Sequence, residues 1–171
     1  SYYVKSFGMD NAELAYGPKE ELSLKKIGLQ LDSIYYCGRD IRANVEEFVF
    51  KERSGLELVS TEGRIASDSV LIQIPKFTMK TTASSLDLQT KIGWDVLEMK
   101  KTGVLSAKIN AEIGKGDVAK ILGGRDTLFL QTYPNKPFVF RADAEGNLNS
   151  LRLRTLEAGL AKAFELKAKG N

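Results

Sequence analysis

The sequence predicts an all-β protein: a mostly antiparallel, elongated and curled sheet with one short helix near residues 117–123. Three observations lead there. Apolar and polar residues alternate with period two along nearly the whole chain, the pattern of a strand with one dry and one wet face. Turn residues separate the alternating runs. Helix signals are scarce.

Tyr2-Tyr3-Val4 opens as a strand, and Asn11 to Leu14 is expected to make a turn. Alternation resumes at Ile27-Leu29-Leu31 and at Ile41-Ala43-Val45, followed by an Arg53-Ser54-Gly55 corner and a turn at Glu62-Gly63. Val70, Ile72 and Ile74 lie on even positions, but Phe77 and Met79 on odd ones. The phase changes across Pro75-Lys76, where proline removes a ladder donor, so a bulge or an edge is expected. Leu105, Ala107, Ile109, Ala111 and Ile113 alternate with Ser106, Lys108, Asn110 and Glu112 in the cleanest run. Asp117 reads as the N-cap of the one helix, through Val118, Ala119, Ile121 and Leu122, with Gly123-Gly124-Arg125-Asp126 as its stop. Strands follow at Phe138-Phe140-Ala142 and Phe164-Leu166-Ala168, with a Gly146-Asn147 turn between. The total is about a dozen short strands.

A weak repeat runs through these elements. Gly28-Leu29-Gln30-Leu31-Asp32-Ser33 resembles Gly55-Leu56-Glu57-Leu58-Val59-Ser60, Ser85-Leu86-Asp87-Leu88-Gln89-Thr90 and Ser150-Leu151-Arg152-Leu153-Arg154-Thr155. It suggests a stack of two- or three-strand units, each touching mainly its neighbours. Such a sheet either folds over as a closed β-sandwich or curls into a trough. Both bury alternate residues, so the pattern leaves both open.

Composition narrows the function classes. The chain has 171 residues, 43% hydrophobic and 27% charged, with a formal charge of +3. That balance suits one globular unit and lacks the basic patch of a nucleic-acid binder. The run Lys162 to Lys169 reads as a solvated strand face. No apolar stretch is long enough to span a bilayer. Both ends look cut, so residues 1–171 are expected to be a single segment excised from a longer repeat-like protein.

Histidine is absent, which removes imidazole-based catalysis and the commonest metal ligand. The single cysteine, Cys37, sits beside Tyr35 and Tyr36 and reads as a small buried hydrophobe. Gly114-Lys115-Gly116-Asp117 lacks the rest of a phosphate loop. Glu20-Glu21 and Glu46-Glu47 are adjacent, and strand neighbours face opposite sides, so neither pair can share a proton-transfer site. Glu52 and Asp68-Ser69 are expected near turns, in solvent. The aromatic residues are not interleaved with a basic stripe, unlike those of single-strand binders. The expectation is a chain that is not an enzyme and needs no cofactor or metal.

Several segments, in order, resemble the TamB/AsmA-like family of two-membrane bacteria. They are Ala15-Tyr16-Gly17-Pro18-Lys19; Leu31-Asp32-Ser33-Ile34-Tyr35-Tyr36 with Gly38-Arg39; and Phe48-Val49-Phe50-Lys51-Glu52-Arg53-Ser54-Gly55-Leu56-Glu57-Leu58. Gly63-Arg64, Asp68-Ser69, Gly114-Lys115-Gly116-Asp117-Val118, Tyr133-Pro134 and Gly146-Asn147-Leu148-Asn149-Ser150-Leu151 continue the pattern. The resemblance implies a U-shaped β-taco trough with an apolar interior. It implies a periplasmic setting in an inner-membrane-anchored protein, phospholipid or another acyl lipid as partner, and a part in lipid transport and outer-membrane assembly. The family's anchor helix and C-terminal partner-binding region have no counterpart in this sequence, so outer-membrane assembly proteins would be reached through other parts of such a protein.

The residues expected to line the groove are Leu29, Leu31, Leu56, Leu58, Ile72, Ile74, Leu86, Leu88, Leu105, Ile109, Ile113, Phe138, Phe140, Leu151 and Leu153. The competing expectation is a structural module whose sheet edges pair with neighbouring segments or a client strand.

Overall fold

The computed structural model describes residues 1–17, 22–100, 102–123, 125, 127–160 and 164–170. Pro18, Lys19, Glu20, Glu21, Gly124, Asp126 and Lys162, which carried some of the expectations above, lie outside the described residues.

Ten strands form one antiparallel sheet in strict sequence order. They are β1 (Tyr2–Tyr16), β2 (Leu22–Cys37), β3 (Asp40–Glu52), β4 (Glu57–Ser67), β5 (Leu71–Thr81), β6 (Ser85–Gly93), β7 (Leu105–Ile113), β8 (Phe138–Gly146), β9 (Leu151–Leu160) and β10 (Phe164–Ala168). Three short helices interrupt them: α1 (Trp94–Leu97) between β6 and β7, then α2 (Lys115–Leu122) and α3 (Thr127–Thr132) between β7 and β8. The fold class is therefore the expected all-β curled sheet, with fewer and longer strands than the turn signals suggested and with three helices instead of one.

The sheet is not closed. Among the described residues each strand packs on its sequence neighbours, and no second layer of strands lies over it. The closed sandwich is thus not formed. The chain exposes 11434 Å², whereas a compact monomer of this size exposes about 8300 Å².

Curvature has local causes. Asn11 (φ 55°), Lys26 (φ 52°) and Ser33 (φ 53°) adopt left-handed backbone within β1 and β2, where the registers shift. Such extra residues bend a strand and raise its twist. The segment Asn11 to Leu14 is accordingly a bulge inside β1 and not a turn. The shift expected at Pro75 is present: β5 loses register with β6 between Ile74 and Phe77. It is an internal bulge, since β5 is paired on both sides.

Three other local expectations change. Glu62-Gly63 lies within β4. Gly63 pairs with Phe77, whose ring occupies the space a side chain at 63 would need, so the glycine serves packing here. Asp117 is inside α2, and Gly114 holds the N-cap position in extended backbone. Gly123 does end that helix, in left-handed conformation with φ 56°, which an L side chain resists. Cys37 is exposed, not buried. It ends β2 beside the Gly38-Arg39 turn, at the sheet rim. Glu52 and Asp68 sit at turns as expected, and each carboxylate accepts backbone N–H bonds there, from Ser54 and from Val70 and Leu71. Those bonds favour the charged forms: Glu52 is held below its usual pKa first by the Ser54 side chain, and Asp68 first by the Leu71 amide.

The repeat maps partly onto the topology. Its first three copies fall on β2, the start of β4, and β6, which run in one direction, so a hairpin is the repeating unit. The fourth falls on β9, which runs the other way.

Candidate functional site

Antiparallel partners point to the same face, so the registers identify which side chains share a surface. One row crosses all ten strands: Phe7, Leu31, Val45, Gly63, Phe77, Leu88, Ile109, Ala142, Leu156 and Ala168. It is apolar throughout. A parallel row holds Thr61, Met79, Leu86, Ala111, Phe140, Ala158 and Leu166. Between those rows, on the other face, runs Glu62, Thr78, Asp87, Asn110, Arg141, Glu157 and Lys167. The sheet is therefore two-sided, and from β4 to β9 the paired rows of the apolar side carry no charged residue.

Every residue singled out from the sequence falls on this apolar side or at its edge. Leu29 pairs with Met9 and Phe48, and Leu31 with Phe7 and Val45. Leu58 pairs with Phe50, and Leu56 lies immediately before β4. Ile72 and Ile74 pair with Ile92 and Thr90; Leu86 and Leu88 pair with Ala111 and Ile109. Leu105, Ile113, Phe138 and Phe140 align across β7 and β8, and Leu151 and Leu153 face Gly146 and Ala144.

Burial separates an open face from a core. Leu58 is 2% exposed, but Ile113 is 38% and Leu151 56% exposed; the others are half-buried. Among the described residues only Ile27, Leu58 and Tyr133 are fully buried hydrophobics. Ile27 and Leu58 are on the apolar side, as is Thr61 at 1%.

Sequence reasoning missed Phe7, Met9, Phe48, Phe50, Phe77 and Met79 as members of this surface. In β3 the apolar side moves from odd positions at Val45 to even ones at Phe48 and Phe50, where the β2–β3 register shifts. A phase change hides such residues from an alternation count. Phe77 and Met79 were visible, but their side was not, because Pro75 intervenes.

The polar side has a shallow recess of about 440 Å³, lined by residues that include Gln73, Gln89, Lys91, Lys108, Asp143, Glu145 and Arg154. Its charges offset one another: Lys108 pairs with Asp143 in register, and Arg154 donates to Glu145. It lies on the wrong side of the sheet to communicate with the apolar rows. Among the described residues no group of His, Cys, Asp or Glu is placed to hold a metal, and no helix is long and apolar enough to cross a membrane.

One buried polar knot stands at the end of the apolar side. The Asp117 carboxylate is 2% exposed. It accepts from Thr81 Oγ1, from Ser84 Oγ at 2.6 Å and from Thr82 Oγ1 at 3.3 Å, with Lys120 Nζ at 3.7 Å. Burial opposes its charge, yet the Ser84, Thr81 and Thr82 hydroxyls and Lys120 together hold its pKa below the ordinary value. Thr81 pairs with Leu58, so α2 begins at the most buried part of the apolar side.

Compared with known proteins, the chain matches no family model, no curated protein and no solved structure.

Proposed function

We propose that this chain is a non-catalytic lipid-binding module whose apolar sheet side takes the acyl chains of a phospholipid. The observation that supports this reading most is the uncharged apolar row crossing ten strands without a covering layer. Strands stack at about 4.8 Å, so ten strands offer roughly 43 Å of continuous apolar length, more than an acyl chain needs. Each methylene removed from water contributes about 0.8 kcal/mol, or on the order of 11 kcal/mol for about 14 of them. A surface resembling the bilayer interior offsets that cost on entry and releases cargo with little penalty, as a conduit requires. The resemblance to the TamB/AsmA-like family adds the setting: a periplasmic part of an inner-membrane-anchored protein that moves phospholipid between the inner and outer membranes and supports outer-membrane assembly.

Photocrosslinking tests it. A probe at Ile109 and, separately, at its neighbour Lys108 samples the two sides of β7. Lipid adducts at Ile109 and none at Lys108 are expected. Adducts at neither position in a folded protein would sink the reading.

A second reading has its own observation. β1 is a 15-residue edge strand with Tyr2, Val4, Phe7 and Leu14 exposed, and such an edge can accept a further strand. A structural module of this kind would crosslink to a client or neighbouring segment along β1 while Ile109 gives no lipid adduct.

A further inference from the structure

The excursion between β7 and β8 does not behave like a loop that merely reconnects two strands. Ile113 and Phe138 are already paired, so a direct turn would suffice. Instead α2 and α3 pack on each other. The pair is tied to the sheet through polar contacts: the Asp117 knot and the bond that Tyr133 Oη donates to the Ile113 carbonyl at 2.7 Å. Ile121 is 64%, Leu128 75% and Phe129 44% exposed. Residues 114–137 hold four basic residues, Lys115, Lys120, Arg125 and Lys136, against two acidic ones, Asp117 and Asp126. Asp117 is buried and already satisfied, and Lys115, Arg125 and Lys136 have no ion-pair partner among the described residues.

The opposite end of the sheet makes a useful contrast. Val70, Leu97, Met99 and Leu148 are exposed there too. There, however, Arg39 is paired with Glu98, Arg42 with Asp40 and Lys100 with Asp95. Among the described residues, the α2–α3 end combines exposed apolar side chains with cations that have no ion-pair partner, and the other end does not. That combination is what an interfacial element needs, apolar side chains for the acyl boundary and cations for anionic headgroups.

We infer that α2 and α3 dock the protein on an anionic phospholipid surface, placing the end of the apolar sheet side where a lipid can leave or enter the bilayer. The inference rests on the lipid reading above. The anchoring at Thr81, beside the buried Leu58, puts the docking element at the strand-end rim of the apolar side, near the middle of the ten-strand row.

Vesicle co-sedimentation tests it, with vesicles of phosphatidylcholine alone and of phosphatidylcholine mixed with phosphatidylglycerol. The wild-type chain is expected to bind the mixed vesicles, less so as salt rises. Ile121→Ser with Leu128→Ser should weaken binding at least roughly tenfold, and these side chains are too exposed for the change to unfold the sheet. Arg125→Glu with Lys136→Glu should lose roughly fivefold or more per residue. Val70→Ser with Leu97→Ser at the other end should change nothing. Binding that ignores the α2–α3 substitutions, that is equal on both vesicle types, or that is absent would overturn the docking proposal, as would a protein partner captured by α2–α3 in the absence of vesicle binding. Lipid adducts at Ile109 are scored on the same samples. Their loss with vesicle binding intact would remove the groove reading instead, so the two failures are distinguishable.

Discussion

Thr61 is the least exposed side chain described, and its Oγ1 has no hydrogen-bond partner among the described residues. It lies in the apolar row beside Met79. A buried hydroxyl without a partner forfeits its hydration and gains nothing in return. Thr61→Val keeps the shape and removes that cost, so it should raise stability by about 1 kcal/mol, read as a higher denaturant midpoint at unchanged slope. Asp117 is the opposite case, a buried charge fully satisfied. Its folded pKa is depressed, so its contribution is present above the ordinary carboxylate value and is lost as pH falls through the folded one. The α2 amides should therefore lose hydrogen-exchange protection below about pH 4 while the strands of the sheet keep theirs. Protection that persists unchanged to lower pH would show that Asp117 does not hold the helix.

Strand pairing makes its own demands, and Gly63 meets one. The Phe77 ring fills the place opposite it, so a larger side chain must displace an aromatic from the apolar row. Gly63→Val should cost about 1–3 kcal/mol, and restoring space with Phe77→Ala in the same chain should recover part of that loss, a coupling that a double-mutant cycle measures. The same pair explains what the sequence could and could not tell. Alternation reports the side of a residue wherever a strand is regular, which is why Leu86, Leu88, Ile109 and Phe140 were legible as one surface. It fails across a bulge, as at Lys26, Ser33 and Pro75, because one inserted residue exchanges the two sides. Turn chemistry misled at Glu62-Gly63 because a glycine chosen to admit a ring resembles one chosen for a turn. The Asp117 knot was illegible, since Thr81, Thr82 and Ser84 lie on a hairpin more than 30 residues away in sequence. Cys37 was misread because aromatic neighbours suggested burial at what proved to be a rim; it should react with a thiol reagent in the folded protein at nearly the unfolded rate.

An open sheet exposes both of its outer strands. β10 is 5 residues long, a short edge, but β1 is 15 and carries Phe7 at 47% exposure in the apolar row. Natural edges are guarded by charges pointing inward, and the apolar row has none at β1. The isolated chain should self-associate along β1, and Phe7→Lys should reduce that association in sedimentation equilibrium without changing the strand content. Unaltered association would place the contact elsewhere, on the exposed apolar side.

The unbroken order of the strands bears on how the sheet is made. Each strand pairs with the one synthesised just before it, so no late segment must return to an early one, and loop closure stays short at every step. On the ribosome the sheet can assemble in the direction of translation, hairpin by hairpin. At each step the newest strand finds its partner already in place and leaves only its outer side open for the strand that follows.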